Sequence, residues 1–181
     1  MLLAVGRLAS QKDHGCLIDA FAILAPRFPD WTLRIVGEGD LRGQLERQIA
    51  DRGLVERIEL PGAIREIDAE YRKASLFVSP SKYESFGLAT AESLLNGTPA
   101  VVFDDCPGTD ALIENGVNGV LVDGRKGRAE ALANALGRLM DAPQEIERLS
   151  QAGASRIREV YGLSKTLDAW ESVLRDFAAR C

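Results

Sequence analysis

Short apolar runs alternate with segments of helical period along most of the chain. Leu2-Leu-Ala-Val5 is apolar and is broken by Gly6-Arg7, the pattern of a strand buried on both faces of a parallel sheet. Leu17, Phe21 and Leu24 then repeat at helical spacing, with Asp13 placed to cap the helix and Pro26 and Pro29 to close it. Trp31–Val36 reads as a second strand, ended by Gly37-Glu-Gly39. Leu41, Leu45 and Ile49 form the next helical stripe, with Gly53 as its C-cap. Arg57–Leu60 predicts a third strand stopped by Pro61-Gly62, and residues 64–73 a short helix with Ile67 and Tyr71 on one face.

Leu76-Phe-Val78 is a fourth strand, and it leads into Pro80-Ser-Lys-Tyr-Glu84-Ser-Phe-Gly-Leu-Ala-Thr-Ala-Glu92, a loop followed by a helix that runs to Asn96-Gly97. Ala100–Phe103 and Gly119–Val122 predict two more strands, separated by the loop Asp104–Gly108 and a short helix over Thr109–Glu114. Three helical stretches follow, at 127–140, 143–160 and 164–179, the last with Ser164 as its N-cap. Strands that alternate with helices pair in parallel through right-handed crossovers. The expected fold is α/β: a single Rossmann-like, doubly wound parallel sheet of about six strands, helices on both faces and a helical C-terminal tail.

Composition narrows the chemistry. The chain has 181 residues, enough for one domain with a sizeable core; 46% are hydrophobic and 27% charged, ordinary for a globular protein. The net charge is −5 and the basic residues are scattered among acidic ones, so nucleic acid is not an expected partner. No apolar run approaches the roughly 20 residues that span a bilayer. Cys16, Cys106 and Cys181 are sparse and lack a C-x-x-C spacing, which fits reduced thiols in the cytoplasm. His14 is the only histidine, too little for a zinc site or a Ser-His-Asp hydrolase.

Candidate chemistry lies just past the strands. Gly6, Arg7 and Lys12 follow the first strand, and two cations five residues apart there would clamp a diphosphate, unless they are simply solvated surface charges. Gly37-Glu-Gly-Asp-Leu-Arg-Gly43 approximates a dinucleotide-binding glycine turn, but Arg42 occupies the third glycine position and the turn follows the second strand. A tight strand-to-helix turn accounts for the same glycines. Glu84 and Glu92 are suited to accept hydrogen bonds from sugar hydroxyls, although Glu92 is equally readable as a first-turn acid that complements the helix dipole. Gly87 would let a ligand approach the backbone, and the small residues after it either pack a helix on the sheet or open its N-terminus to a phosphate. Asp104, Asp105 and Asp110 read as turn chemistry or as hard-cation ligands. Trp170 reads as core or as a surface for another domain.

In order, Val5-Gly-Arg-Leu8 with Lys12, Val36-Gly-Glu-Gly39, Leu60-Pro-Gly62, Pro80-Ser with Glu84-Ser-Phe-Gly-Leu88 and Glu92, Asn96-Gly-Thr-Pro99 and Glu114-Asn-Gly-Val-Asn-Gly119-Val-Leu-Val122 make a set. Together they resemble the donor-binding half of a retaining glycosyltransferase of the two-domain GT-B architecture, in the large family 4. The resemblance covers nearly the whole chain. It implies that Arg7 and Lys12 grip a donor diphosphate and Glu84 contacts the donor sugar, the three forming the catalytic set. It further implies that Glu92 binds the ribose, that the Ile64 backbone meets the base, and that Gly6, Gly37, Ser85, Phe86, Gly87 and Leu88 line the donor.

The implied substrate is a UDP-, GDP- or ADP-hexose, with no metal and no other cofactor. Two departures stand out: Lys12-Asp13 replaces a frequent Lys-Gly, and Thr109-Asp110-Ala111 stands where a Glu is common. The resemblance also implies an absent N-terminal acceptor domain, so the chain reads as an excised domain spanning 1–181 whose last helix, 164–179, would pack against that partner. Alone it would hold a nucleotide sugar without transferring it. Any membrane association would be peripheral and through the absent domain. The alternatives are a nucleotide-binding module without catalysis, an epimerase of the same architecture, for which one His14 is too few, and an NAD-binding domain resting on the imperfect glycine turn.

Overall fold

The computed structural model describes residues 1–125 and 127–178. Six strands, β1 (Leu2–Val5), β2 (Leu33–Val36), β3 (Ile58–Gly62), β4 (Leu76–Ser79), β5 (Ala100–Phe103) and β6 (Gly119–Val122), form one sheet in the order β3-β2-β1-β4-β5-β6. Every pairing is parallel, with Val5 opposite Val36 and Leu3 opposite Phe77. The helices are α1 (His14–Leu24), α2 (Arg42–Asp51), α3 (Ile67–Lys73), α4 (Leu88–Leu95), α5 (Arg128–Met140), α6 (Pro143–Tyr161) and α7 (Leu163–Ala178).

Strand alternation divides the core in two. β1 sends Leu2 and Ala4 to a face packed with Leu17 and Phe21 of α1, Leu45 of α2 and Leu136 of α5. It sends Leu3 to the other face, with Tyr71 of α3 and Leu94 of α4. α6 gives Leu149 to the first core and Ile157 to the second, so it closes the β6 edge of the sheet. The doubly wound expectation holds, with helices on both faces.

Several local expectations are corrected. β3 runs through Pro61-Gly62 instead of stopping before them; it is an edge strand, where a proline without an N–H is tolerated. The helix expected over Thr109–Glu114 is a single 3-10 turn at Asp110–Leu112. There the buried Asn118 takes over the backbone, donating to the Leu112 carbonyl at 3.0 Å and accepting from the Glu114 amide at 2.8 Å. Asp13 precedes α1 but its side chain does not cap it; the carboxylate faces Lys82 at 3.4 Å and Arg128 at 3.6 Å instead. Ser164 lies inside α7, and position 179 of that expected helix, like Cys181, lies outside the described residues.

The glycine turn after β2 is explained by packing. A Cβ on Gly37, whose φ is +148°, would lie 2.0 Å from the Gly6 carbonyl oxygen. One on Gly39 would lie 2.4 Å from that of Leu8. The turn is laced to the loop after β1 by Gly6 N–H to Val36 C=O at 3.0 Å and Leu8 N–H to Glu38 C=O at 2.8 Å. Close packing of this turn on the loop after β1 therefore accounts for both glycines. Gly53, with φ +67°, has open space where its Cβ would be.

His14, the first residue of α1, is 3% exposed, and neither ring nitrogen makes a hydrogen bond among the described residues. Burial lowers its pKa from 6.5 to about 4; Lys12 adds to the shift and the Gly6 and Arg7 carbonyls oppose it. It is a neutral core side chain at pH 7. Burial likewise pushes the Cys16 thiol up to about 11 and raises that of Cys106, so neither is a ready thiolate.

Two outcomes follow for stability. Gly37→Ala should lower unfolding free energy by roughly 3 kcal/mol, from the overlap with Gly6 and the unfavourable φ. Gly53→Ala should cost only about 1 kcal/mol, because only the left-handed backbone opposes it. Urea denaturation of the two variants checks the contrast, and equal losses would contradict the packing account. For His14, the unfolded chain takes up a proton below about pH 6.5 that the folded chain refuses until about pH 4. Its contribution is therefore present above pH 6.5 and is lost as pH falls, roughly 3 kcal/mol in all. His14→Leu should flatten the stability profile between those pH values; an unchanged slope would show that His14 is not the group responsible.

Candidate functional site

All strands point the same way, so their carboxyl ends form one edge. The strand order reverses between β1 and β4, and the loops leaving those two strands diverge to opposite faces and leave a crevice. The loop after β1 carries Gly6, Arg7 and Lys12, and the loop after β4 carries Glu84 through Gly87. Residues far apart in sequence therefore converge here.

The convergence is an ion pair. Lys12 Nζ lies 2.5 Å from Glu84 Oε1, and Ser81 Oγ donates to the same oxygen at 2.8 Å. Gly6 makes the reach possible: the Lys12 stem crosses it, and a Cβ there would sit 3.2 Å from Lys12 Cδ and Cε. The two loops are stitched elsewhere by Gln11 Nε2 donating to the Tyr83 carbonyl at 2.7 Å and by the Lys82 amide donating to the Gln11 carbonyl at 2.9 Å. Arg7 is exposed and forms no ion pair among the described residues.

α4 opens at the same place. Gly87, with φ +83°, precedes it, and a Cβ there would lie 2.6 Å from Thr109 Cγ2, so glycine lets the loop after β5 close against this turn. Gly108 does the same from the other side, with its Cβ position 2.4 Å from the Glu84 carbonyl oxygen. The first amides of α4, at Leu88, Ala89 and Thr90, have no acceptor among the described residues, and no acid lies in its first turn. The N-terminus of α4 thus presents free amides and the positive end of its dipole, with Glu84 in the loop that leads into it. Ser85, Phe86 and Leu88 are exposed there, and Phe86 meets Tyr161 of α6 edge-to-face at 5.2 Å.

Glu92 is not a first-turn acid. It is the fifth residue of α4 and accepts a hydrogen bond from the Tyr71 hydroxyl at 2.9 Å. Burial first, and then the Glu92 carboxylate, push the Tyr71 pKa up, so the phenol stays protonated as a donor. The second carboxylate oxygen has no partner among the described residues. The two glutamates are therefore held from opposite sides of α4: Glu84 toward the loop after β1, Glu92 toward α3. Ile64 follows β3; its side chain packs on the second core and its backbone makes no hydrogen bond among the described residues. Gly37 abuts Gly6 at the rim.

The three aspartates after β5 do not converge. Asp104 is 3.8 Å from Arg125, Asp105 binds Arg128 at 2.9 Å, and Asp110 accepts the Ala111 amide at 2.7 Å. Among the described residues no group of three His, Cys, Asp or Glu side chains could hold a metal ion. No helix among them is long and apolar enough to cross a membrane.

Sequence reading missed Ser81, Tyr71 and Gln11 as site residues. Ser81 had a signal, a hydroxyl three residues before a loop glutamate. Tyr71 had none, since its partner lies 21 positions away.

The sequence model of the family described as "Glycosyl transferases group 1" matches residues 1–173. An uncharacterized glycosyltransferase of Haemophilus influenzae is 27% identical over 173 residues, 96% of this chain and 48% of that protein. The alpha-D-kanosaminyltransferase of Streptomyces kanamyceticus is 33% identical over 178 residues, 97% of this chain and 45% of its own length. The crystal structure of Anabaena HepE in complex with UDP superposes with a TM-score of 0.81 at 25% identity, over 94% of this chain and 48% of that one. The chain spans about half the length of these relatives. With the family match running through the six strands and both loops of the crevice, the chain belongs to the group 1 glycosyl transferases.

Proposed function

We propose that the chain is the donor-binding half of a retaining glycosyltransferase that moves a hexose from a nucleotide diphosphate sugar to a hydroxyl acceptor in the cytoplasm. The observation that carries this reading is the Lys12–Glu84 pair at the switch point, flanked by the exposed Arg7 and the open end of α4. A diphosphate placed there meets two cations and a helix N-terminus, so its charge is balanced by the chain without a metal ion. The same groups would stabilise the nucleotide diphosphate as it leaves, an electrostatic contribution arranged in advance.

Glu84 offers its carboxylate to sugar hydroxyls, and Glu92, steadied by Tyr71, offers a free oxygen to the ribose. The unbonded Ile64 backbone suits the edge of a base. The UDP bound to HepE supports a nucleotide as the ligand class, with UDP-, GDP- and ADP-hexoses as the donors to test.

The acceptor site belongs, in this reading, to an N-terminal domain outside the chain. α7 supports it: Leu167, Trp170, Leu174 and Phe177 fall on one stripe, each at least 57% exposed, and no residue of the helix is buried. A face of that kind is expected to be covered by another domain. The half of the relatives' length that the chain does not span supplies the candidate.

Calorimetric titration with UDP-glucose, GDP-mannose and ADP-glucose should detect one of them, with NADH as comparator. No binding even at millimolar concentration would count against the proposal, and tight NADH binding would reverse it. Replacing Arg7 and Lys12 together by Ala should weaken the bound nucleotide by roughly a hundredfold to ten-thousandfold, since each charge-assisted contact contributes roughly 1.5–3 kcal/mol. Unchanged affinity would remove the diphosphate clamp. For α7, Trp170→Glu with Leu174→Glu should leave the urea midpoint of this chain within about 0.5 kcal/mol of wild type. In a longer chain that carries the other domain the same pair should be strongly destabilising; a large loss already in the 181-residue chain would show that the stripe is part of its own core.

A further inference from the structure

One guanidinium touches the immediate neighbours of both members of the Lys12–Glu84 pair. Arg128, the first residue of α5, donates from Nη2 to the carbonyls of Pro80 and Ser81, each at 3.1 Å. Nη1 binds both oxygens of Asp105, at 2.9 and 3.0 Å. Cζ lies 3.7 Å from the centre of the Phe103 ring. Nε is buried without a hydrogen-bond acceptor among the described residues and lies 3.6 Å from Asp13 Oδ2. Gly124 makes room for this arrangement, since a Cβ there would sit 2.8 Å from the Phe103 ring and 3.1 Å from Arg128 Cγ.

Arg128 therefore ties the loops after β1, β4 and β5 to the start of α5. Its polar partners among the described residues are loop groups, and its guanidinium lies on the face of Phe103 in β5. Two of the loops hold the pair. Ser81, whose carbonyl Arg128 fixes, donates its hydroxyl to Glu84, and Asp13, which faces Nε, is the chain neighbour of Lys12. Resting on the donor-site reading above, we propose that Arg128 is a positioning residue: it sets the separation of the two loops and so the geometry in which Lys12 and Glu84 meet a donor. A planar fork is required, because Ser81, Pro80, Asp105 and Asp13 lie in different directions around one group. A lysine ammonium would satisfy one of these at a time.

The test uses the 181-residue chain with Arg128→Met, which keeps a stem against Phe103 but removes every donor, and with Arg128→Lys. Hydrogen exchange is followed at the Lys82 amide, which bonds across the two loops to Gln11, and at the amides of β1 and β5. In Arg128→Met the Lys82 amide should exchange about tenfold faster while the strand amides keep wild-type rates. Affinity for whichever nucleotide sugar the wild type binds, among UDP-glucose, GDP-mannose and ADP-glucose, should fall by about tenfold. Arg128→Lys should recover only part of either effect. An unchanged Lys82 rate, uniform acceleration across the sheet, or full recovery with lysine would each overturn the proposal. A wild-type chain that binds none of the three nucleotides sinks the donor reading alone; the exchange contrast still decides whether Arg128 sets the loops.

Discussion

The constraint on which the rest of the structure depends is that all six strands run in parallel. A parallel sheet must be covered on both faces, because each crossover lays a helix against it. That forces the near-continuous apolar runs of β1, β4 and β5 and the division of the interior into two cores. It also sends every strand-to-helix loop out at one edge. Where the order turns from β1 to β4, two such loops part to opposite faces, and the crevice between them is a consequence of topology before it is a property of any residue.

Given that crevice, the loops have to be brought close without colliding. Glycine does this by removing side-chain volume where backbones touch: Gly37 against Gly6, and Gly108 against Glu84. Charge then holds what the glycines bring near. Lys12 and Glu84 join the first loop to the fourth, and Arg128 joins both to the loop after β5. Such pairs at a partly solvated rim add little to global stability. Their effect is directional: they hold cations and a carboxylate in fixed places around an opening.

The sheet was readable from the sequence because buried parallel strands leave short apolar runs that polar, helical stretches interrupt. β1, β5 and β6 fall where those runs do; α2 carries Leu45 and Ile49 of its stripe, while Leu41 precedes it and Arg52, one residue before the left-handed Gly53, is its C-cap. The places that departed have local causes. Pro61 was read as a stop, but an edge strand loses nothing by lacking that N–H. Asp13 was read as a cap, but two cations from distant loops compete for its carboxylate. Lys12 and Glu84 were legible as candidates, since acids and bases just past strands are visible in a sequence. Their meeting at 2.5 Å was not, because it depends on the strand order, which no local pattern encodes. Tyr71 and Arg128 were invisible for the same reason.

The site is one-sided. Arg7, Ser85 and Leu88 are exposed at the carboxyl edge, and the first amides of α4 have no acceptor among the described residues. Cationic groups left in water are strongly screened, and their attraction for a diphosphate grows as water is excluded. A cover would therefore change the strength of the site as well as its access. Phe86 stands in the loop after β4 and packs on Tyr161, one residue before the break at Gly162 where α6 gives way to α7. The exposed apolar face of α7 thus begins two residues beyond the ring that packs on Phe86, which places the loop after β4 next to the junction of α6 and α7.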